Sequence, residues 1–317
     1  MLTALVVFGA WVLVSRVTHD DGTADATTPT VRPTTSPAPS ATRTSSPTHS
    51  RAPASSRPAP TPTKPSADQQ HAAAKAALSK IIDAQPGGAV SVAALNVKTG
   101  RSLTMGADSG MWTASAYKLL LLEVLLYQHQ KSGTYLSDAE DSDATAAMEH
   151  SDNVAGYQLW IDVGRNAGQA PVMKAFGMKH SKTGVTDPTF TTLSASDALI
   201  LLKNLVDSDS PLSTSARKYV LGLMRNVEPD QRWGVGAAAD KGTTFYNKNG
   251  WLSIDNANGP GERDDGLWAV TSLGVVTVNG QQVLMAVLTR HQPDFDKGRA
   301  LVEQLAKSLA QAVAPSS

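Results

Sequence analysis

The chain has 317 residues, 41% hydrophobic and 18% charged, with 28 basic against 28 acidic side chains and no cysteine. This length allows one sizeable core or at most two small ones, and the balanced charge gives no general pull toward nucleic acid. Without cysteine there can be no disulfide, thiolate nucleophile, thiolate zinc site, iron–sulfur cluster or lipid-modified cysteine.

Residues 2–14, LTALVVFGAWVLV, form an uncharged apolar run followed by Ser15 and Arg16, the pattern of an export or anchoring segment over residues 1–21. The run is shorter than the roughly 20 apolar residues of a full span. No basic stretch precedes it, which suggests a start codon upstream. The nearest small-residue triplet, Ala24 to Ala26, lies well past the run, so an uncleaved signal anchor is expected rather than a cleaved signal peptide. Arg16 runs against the positive-inside tendency, and the expected outward topology rests on the next segment.

That segment, Gly22 to Ser66, holds 10 Pro, 11 Thr and 8 Ser, with Val31 its one large aliphatic residue. It cannot bury a core and reads as a disordered, polyproline-rich linker that would reach on the order of 140 Å if extended. Its basic residues could touch anionic wall polymers, although a charge-solubilised linker explains them more simply. From Ala67 onward the composition is globular and mildly acidic, and residues 67–317 are read as the catalytic domain.

Within that domain a helical pattern runs from Ala67 to Ala84. Two strand-like runs follow, Ala89 to Val97 and Arg101 to Met105, joined by the turn Lys98-Thr99-Gly100. Ser115 to about Asn226 reads as mostly helix, and the apolar stretch Tyr117 to Tyr127 predicts a helix buried all round. Strands return at Thr243 to Leu252, Leu267 to Val278 and Gln282 to Arg290, before an amphipathic helix from Phe295 to about Ala314. This order describes an α+β fold: an antiparallel five-stranded sheet from both chain ends, packed with helices, plus an all-helical subdomain.

Three short motifs carry chemistry. The first is Ser115-Ala116-Tyr117-Lys118 at the start of the apolar helix. A serine there lies near unpaired backbone N–H groups, and a lysine one turn on shares its face. Desolvation and a second cation would lower that lysine's pKa, so that it could take the serine proton. Standing alone, the motif reads more simply as a capping serine followed by a snorkelling lysine.

The second is Ser151-Asp152-Asn153. Ser151 could relay a proton to a leaving nitrogen and Asn153 could bond a substrate carbonyl, although the triplet alone is as readily a cap or turn. The third is Lys248-Asn249-Gly250-Trp251 on an edge strand. Lys248 would supply positive charge, Asn249 an amide for a substrate carboxylate, and Gly250 room for a ligand backbone. The Trp251 N–H could pair with that of Ser115 as an oxyanion hole. An ordinary exposed hairpin strand is the alternative.

In this order and context the motifs resemble those of the penicillin-recognising serine hydrolases, most closely the class A β-lactamase branch with its S-x-x-K, S-D-N and K-T-G set. The phrase AMEHSDNVA, the Thr191-Thr192 pair and the strand WAVTSLGVV add to the likeness, which spans roughly residues 67–314. The resemblance implies the β-lactamase/transpeptidase-like fold, with Ser115 as nucleophile, Lys118 as base, Ser151 as relay and Lys248 as electrostatic group. Asn153, Asn249, Gly250 and Trp251 would bind substrate.

The likeness breaks at three points. Class A enzymes activate a deacylating water with a glutamate between the second and third motifs, yet no glutamate occurs from Val154 to Val227. Asp187 is the one acid there in a loop-like part; it is either a shorter base or, more simply, a turn cap. Loss of a positioned base removes about 10²- to 10⁴-fold from deacylation. Asn249 replaces the usual hydroxyl residue. Ser151 follows Ser115 after only 36 positions, predicting a trimmed helical region and a more open cleft.

Gly234 to Ala239 matches a dinucleotide-binding pattern but lacks a preceding strand and reads as a loop. The histidines show no ligand spacing, so no metal and no cofactor is expected, and His150 is expected at the surface. The expectation is a monomeric, extracytoplasmic serine hydrolase, membrane-associated through its N-terminal segment. It would acylate on Ser115 with β-lactams, D-Ala-D-Ala-like peptides or esters and deacylate slowly, with no nucleic-acid partner. The alternatives are a non-catalytic peptidoglycan-binding module on the same fold, and a true β-lactamase using another water-activating group.

Overall fold

The computed structural model describes residues 65–108, 110–254 and 265–316. The expected anchor, and the linker apart from Pro65 and Ser66, lie outside the described residues. Among the described residues no helix is long and apolar enough to cross a membrane.

Helix α1 (Ala67–Asp83) starts at a capping box, in which the Ser66 side chain accepts from Gln69 N and the Gln69 side chain closes back on the cap. The hairpin of β1 (Val90–Asn96) and β2 (Ser102–Gly106) follows, then β3 (Met111–Trp112) and a 3-10 turn at Ala114–Ala116. The helical region comprises α2 (Tyr117–Ser132), α3 (Asp138–Glu149), α4 (Asn153–Asp162), α5 (Arg165–Phe176), α6 (Ala195–Val206) and α7 (Thr214–Arg225). It is interrupted by a 3-10 turn at Pro188–Phe190 and by β4 (Thr192–Leu193). The chain returns to the sheet with β5 (Tyr246–Ile254), β6 (Leu267–Val278) and β7 (Gln281–Gln292), and ends in α8 (Phe295–Val313).

The five long strands form one antiparallel sheet in the order β2-β1-β7-β6-β5. Both its faces are covered. Leu284, Ala286 and Leu288 of β7 enter the core shared with α2 and the other helices, whereas Val283, Met285 and Val287 enter the core under α8. Two alternating sets of apolar residues therefore make each central strand read as one continuous apolar run. Helix α2 is buried from Tyr117 through Leu125, as its apolar sequence predicts.

The sequence reading misses the two-residue pairing of β3 with β4, too short to show periodicity. Met111 pairs with Leu193 and Trp112 with Thr192. Next to it, both the N–H and the hydroxyl of Thr113 donate to Thr191 O, at 3.0 and 2.8 Å. This pairing fastens the segment before α2 to the loop after α5. Strand β5 begins at Tyr246, three residues later than expected, because Thr243 closes a turn onto Asp240 O.

Candidate active site

Ser115 sits in the 3-10 turn that leads into α2, half-buried, and the Lys118 side chain one turn on is fully buried beneath it. Lys118 Nζ lies 3.0 Å from Ser115 Oγ, 2.6 Å from the Ser151 carbonyl oxygen and 2.9 Å from Asn153 Oδ1. Two of these partners are carbonyl oxygens, which only accept. A neutral amine that donates to both is left with its lone pair toward the third, the one hydroxyl able to donate. Burial lowers the Lys118 pKa to about 7, against an opposing pull from the Asp152 carboxylate.

Ser151 joins the second motif to the third. Its backbone has φ 57°, a left-handed conformation uncommon outside glycine. Its carbonyl accepts from Lys118, while its Oγ accepts from Lys248 Nζ at 2.8 Å. Asp152 caps α4 by accepting from Ala155 N at 2.8 Å, and Asn153 opens that helix. With its Oδ1 held by Lys118, Asn153 retains an amide NH₂ for an incoming carbonyl. Lys248 is completely buried, and burial together with the neighbouring Lys118 charge pushes its pKa well below the usual lysine value. Ser115, Lys118, Ser151, Asn153 and Lys248, from all three motifs, thus converge on one cluster.

Two expectations for the third motif are corrected. Successive side chains of a strand point to opposite faces, so Asn249 cannot share the cleft face with Lys248. Its Nδ2 donates to Gln231 O at 2.8 Å and to Trp233 O at 3.3 Å, and its Oδ1 accepts from Ser272 Oγ at 2.7 Å. Buried with both polar ends committed, its amide does not meet a substrate carboxylate. Gly250 is also not held open for a ligand. A Cβ there would fall 2.2 Å from Thr113 O and 2.9 Å from Ser115 N, so the close approach is by the nucleophile's own turn. The Trp251 ring packs with Trp233 and Phe295, at centroid distances of 5.8 and 5.6 Å.

Asp187 caps the 3-10 turn at Pro188–Phe190, its Oδ1 accepting from Thr189 N at 2.8 Å and from the Thr189 hydroxyl. That turn packs against the turn holding Ser115. His150 pairs with Glu228 at 2.7 Å, both being exposed.

The sequence profile of the Beta-lactamase enzyme family matches residues 142–313, just over half of the chain. The protein belongs to the Beta-lactamase enzyme family. Within this family's fold it is similar to the TLA-1 extended-spectrum β-lactamase, with TM-score 0.66 and 17% identity over 77% of this chain and 99% of that one. It is also similar to a variant of PBP-A solved as an acyl-enzyme with penicillin G (TM-score 0.64, 19% identity, 76% and 96% covered). A β-lactamase from Chitinophaga pinensis matches at TM-score 0.63 and 16% identity, covering 76% and 99%. By sequence the chain is 22% identical over 232 residues to LppW of Mycobacterium tuberculosis, whose name describes it as a lipoprotein; 70% of each chain is covered.

The family motifs leave two site residues unread. Tyr117, inside the first motif, is buried beside Lys118. Gly156 of α4 lies over both: a Cβ there would fall 2.5 Å from Lys118 Cε and 2.7 Å from Tyr117 Oη. The available signal was a glycine inside a helical pattern, where alanine is preferred by roughly 1 kcal/mol and glycine marks a close approach.

Proposed function

We propose that this β-lactamase-family protein is an extracytoplasmic serine hydrolase that forms an acyl-enzyme on Ser115. The observation that carries the reading is the orientation of Lys118, a buried amine with pKa about 7 whose remaining partner is Ser115 Oγ. Lys118 takes the hydroxyl proton as Oγ attacks the substrate carbonyl. Ser151, in contact with both lysines, passes a proton to the leaving nitrogen or oxygen as the acyl bond breaks. The Ser115 and Trp251 N–H groups stabilise the oxyanion, each donor contributing roughly 2.7 to 4 kcal/mol. Asn153 orients the substrate amide. A substrate carboxylate near Lys248 restores that lysine's charge by attraction.

The substrates are β-lactams, D-Ala-D-Ala-like peptides or esters. Deacylation is slow, because the stretch from Val154 to Val227 has no glutamate and Asp187 is the shorter acid in its place. The N-terminal apolar run and the similarity to the lipoprotein LppW support an extracytoplasmic, membrane-associated location. The protein acts as a monomer without metal or cofactor. Hydrolysis of a chromogenic cephalosporin or of p-nitrophenyl acetate by the full chain, compared with Ser115→Ala, tests the reading. Turnover lost in Ser115→Ala is expected. Equal rates in both proteins would reject the nucleophile, and binding of peptidoglycan stem peptide without turnover by either would favour a binding module.

A further inference from the structure

We propose that the Tyr117 hydroxyl and Asp187 together hold and activate the water that hydrolyses the Ser115 acyl-enzyme. The inference rests on the serine-hydrolase reading and assigns its second half-reaction to a pair of residues.

Three observations bring these groups together beside the nucleophile. The Tyr117 hydroxyl and the Lys118 stem meet at the same notch in α4, which Gly156 keeps open. That puts the phenol beside the amine that touches Ser115 Oγ. Asp187 caps a turn packed on the Ser115 turn, and the β3–β4 pairing with the Thr113–Thr191 hydrogen bonds fixes the two turns together. Finally, Asp187 is close enough to Tyr117 for its charge to act on the phenol.

The chemistry of the two groups is complementary. Burial, followed by the Asp187 and Asp152 charges, raises the Tyr117 pKa, so the phenol stays protonated and acts as a donor, not a base. Asp187 engages Thr189 through Oδ1, leaving Oδ2 to accept. A water between them receives the phenol's hydrogen bond and gives one to the carboxylate. On attack, the water oxygen bonds to the acyl carbon and its proton passes to Asp187. As the C–Oγ bond breaks, that proton returns through Lys118 to Ser115 Oγ, so the net change is one water consumed and one acid released. Tyrosine supplies the water contact that the short aspartate side chain cannot make alone.

The test is single-turnover acylation by penicillin G, or by p-nitrophenyl acetate where penicillin does not react. Excess reagent is then removed and decay of the adduct is followed by intact mass for full-length wild type, Tyr117→Phe, Asp187→Asn and the double variant. Adduct decay is expected to slow by about tenfold or more in Tyr117→Phe and by about 10²-fold in Asp187→Asn, with the double variant no slower than the slower single. Acylation should change by less than about threefold in Tyr117→Phe, a split between half-reactions that simple loss of structure would not produce. Adducts decaying at the wild-type rate in both single variants overturn this inference and leave the acylating serine standing. Absence of any Ser115 adduct on wild type with either reagent overturns the serine-hydrolase reading, and this inference with it.

Discussion

Lys248 Nζ donates to Ser151 Oγ across 2.8 Å, and this bond closes the site. The same serine accepts Lys118 through its carbonyl, so two buried lysines are bridged by one residue in a left-handed conformation. Burial lowers both lysines, and the Lys118 charge lowers Lys248 further, against a weaker opposing pull of Asp152 on Lys118. The resting cluster therefore favours loss of a proton, which is what a base at Lys118 requires.

Acylation should follow the deprotonation of Lys118. With its pKa at about 7, the single-turnover acylation rate should rise as pH increases through 7 and level off above it. The sign for stability follows from the same shift. The unfolded lysine keeps its proton up to about pH 10.5, so between 7 and 10.5 the unfolded chain binds more protons and the Lys118 contribution to stability rises with pH. An acylation profile flat from pH 5 to 9 would contradict the assignment.

Glu123 of α2 gives a pH dependence of opposite sign. It is wholly buried, with Oε2 accepting from Asn204 Nδ2 at 3.0 Å and Oε1 without a partner, and burial raises its pKa well above the usual value. The folded state keeps this proton while the unfolded state loses it above about pH 4.5, so stability falls as pH rises from there toward the folded pKa. Glu123→Gln removes the titration and keeps an acceptor for Asn204. Its Tm should match wild type near pH 4 and exceed it increasingly toward pH 8.

Gly156→Ala should separate activity from stability. The added methyl would meet Lys118 Cε and Tyr117 Oη at 2.5 and 2.7 Å, and of the two the flexible lysine end is the one that must give way. A helix interior gains up to roughly 1 kcal/mol from alanine, which offsets part of the crowding. Displacement of Lys118 by even 1 Å is expected to lower acylation on the order of 10²-fold while Tm changes little, measured by single-turnover kinetics beside thermal unfolding.

Asn249→Ala should behave in the reverse way. It removes the acceptor of the Ser272 hydroxyl and the amide donor to Trp233 O, while Gln231 O keeps its bond from Asn247 Nδ2, and should destabilise the fold by roughly 1 to 3 kcal/mol. Loss of penicillin reactivity with unchanged denaturant stability would restore a substrate-binding role for this side chain.

The sheet was legible because its central strands are buried on both faces and read as apolar runs such as Leu267 to Val278. Ser115 and Lys118 were legible from helical spacing, but their meeting with Ser151 and Lys248 depends on long-range closure that only the motif order indicated. Asn249 was misread because a motif treats neighbouring residues as one unit, whereas strand alternation turns every second side chain away. Gly250 was misread for a related reason, since a glycine signals a close approach without naming what approaches. The left-handed backbone of Ser151 and the packing of the Asp187 turn on the Ser115 turn carry no local pattern, because tertiary contacts alone impose them.

The central claim is that Ser115 is an acylating nucleophile. Intact mass of the full chain during incubation with penicillin G, beside Ser115→Ala, tests it most directly. A mass increase of one penicillin on wild type alone, persisting for many minutes, is the predicted result. An equal adduct on Ser115→Ala, or none on wild type with no hydrolysed penicillin released, would contradict it.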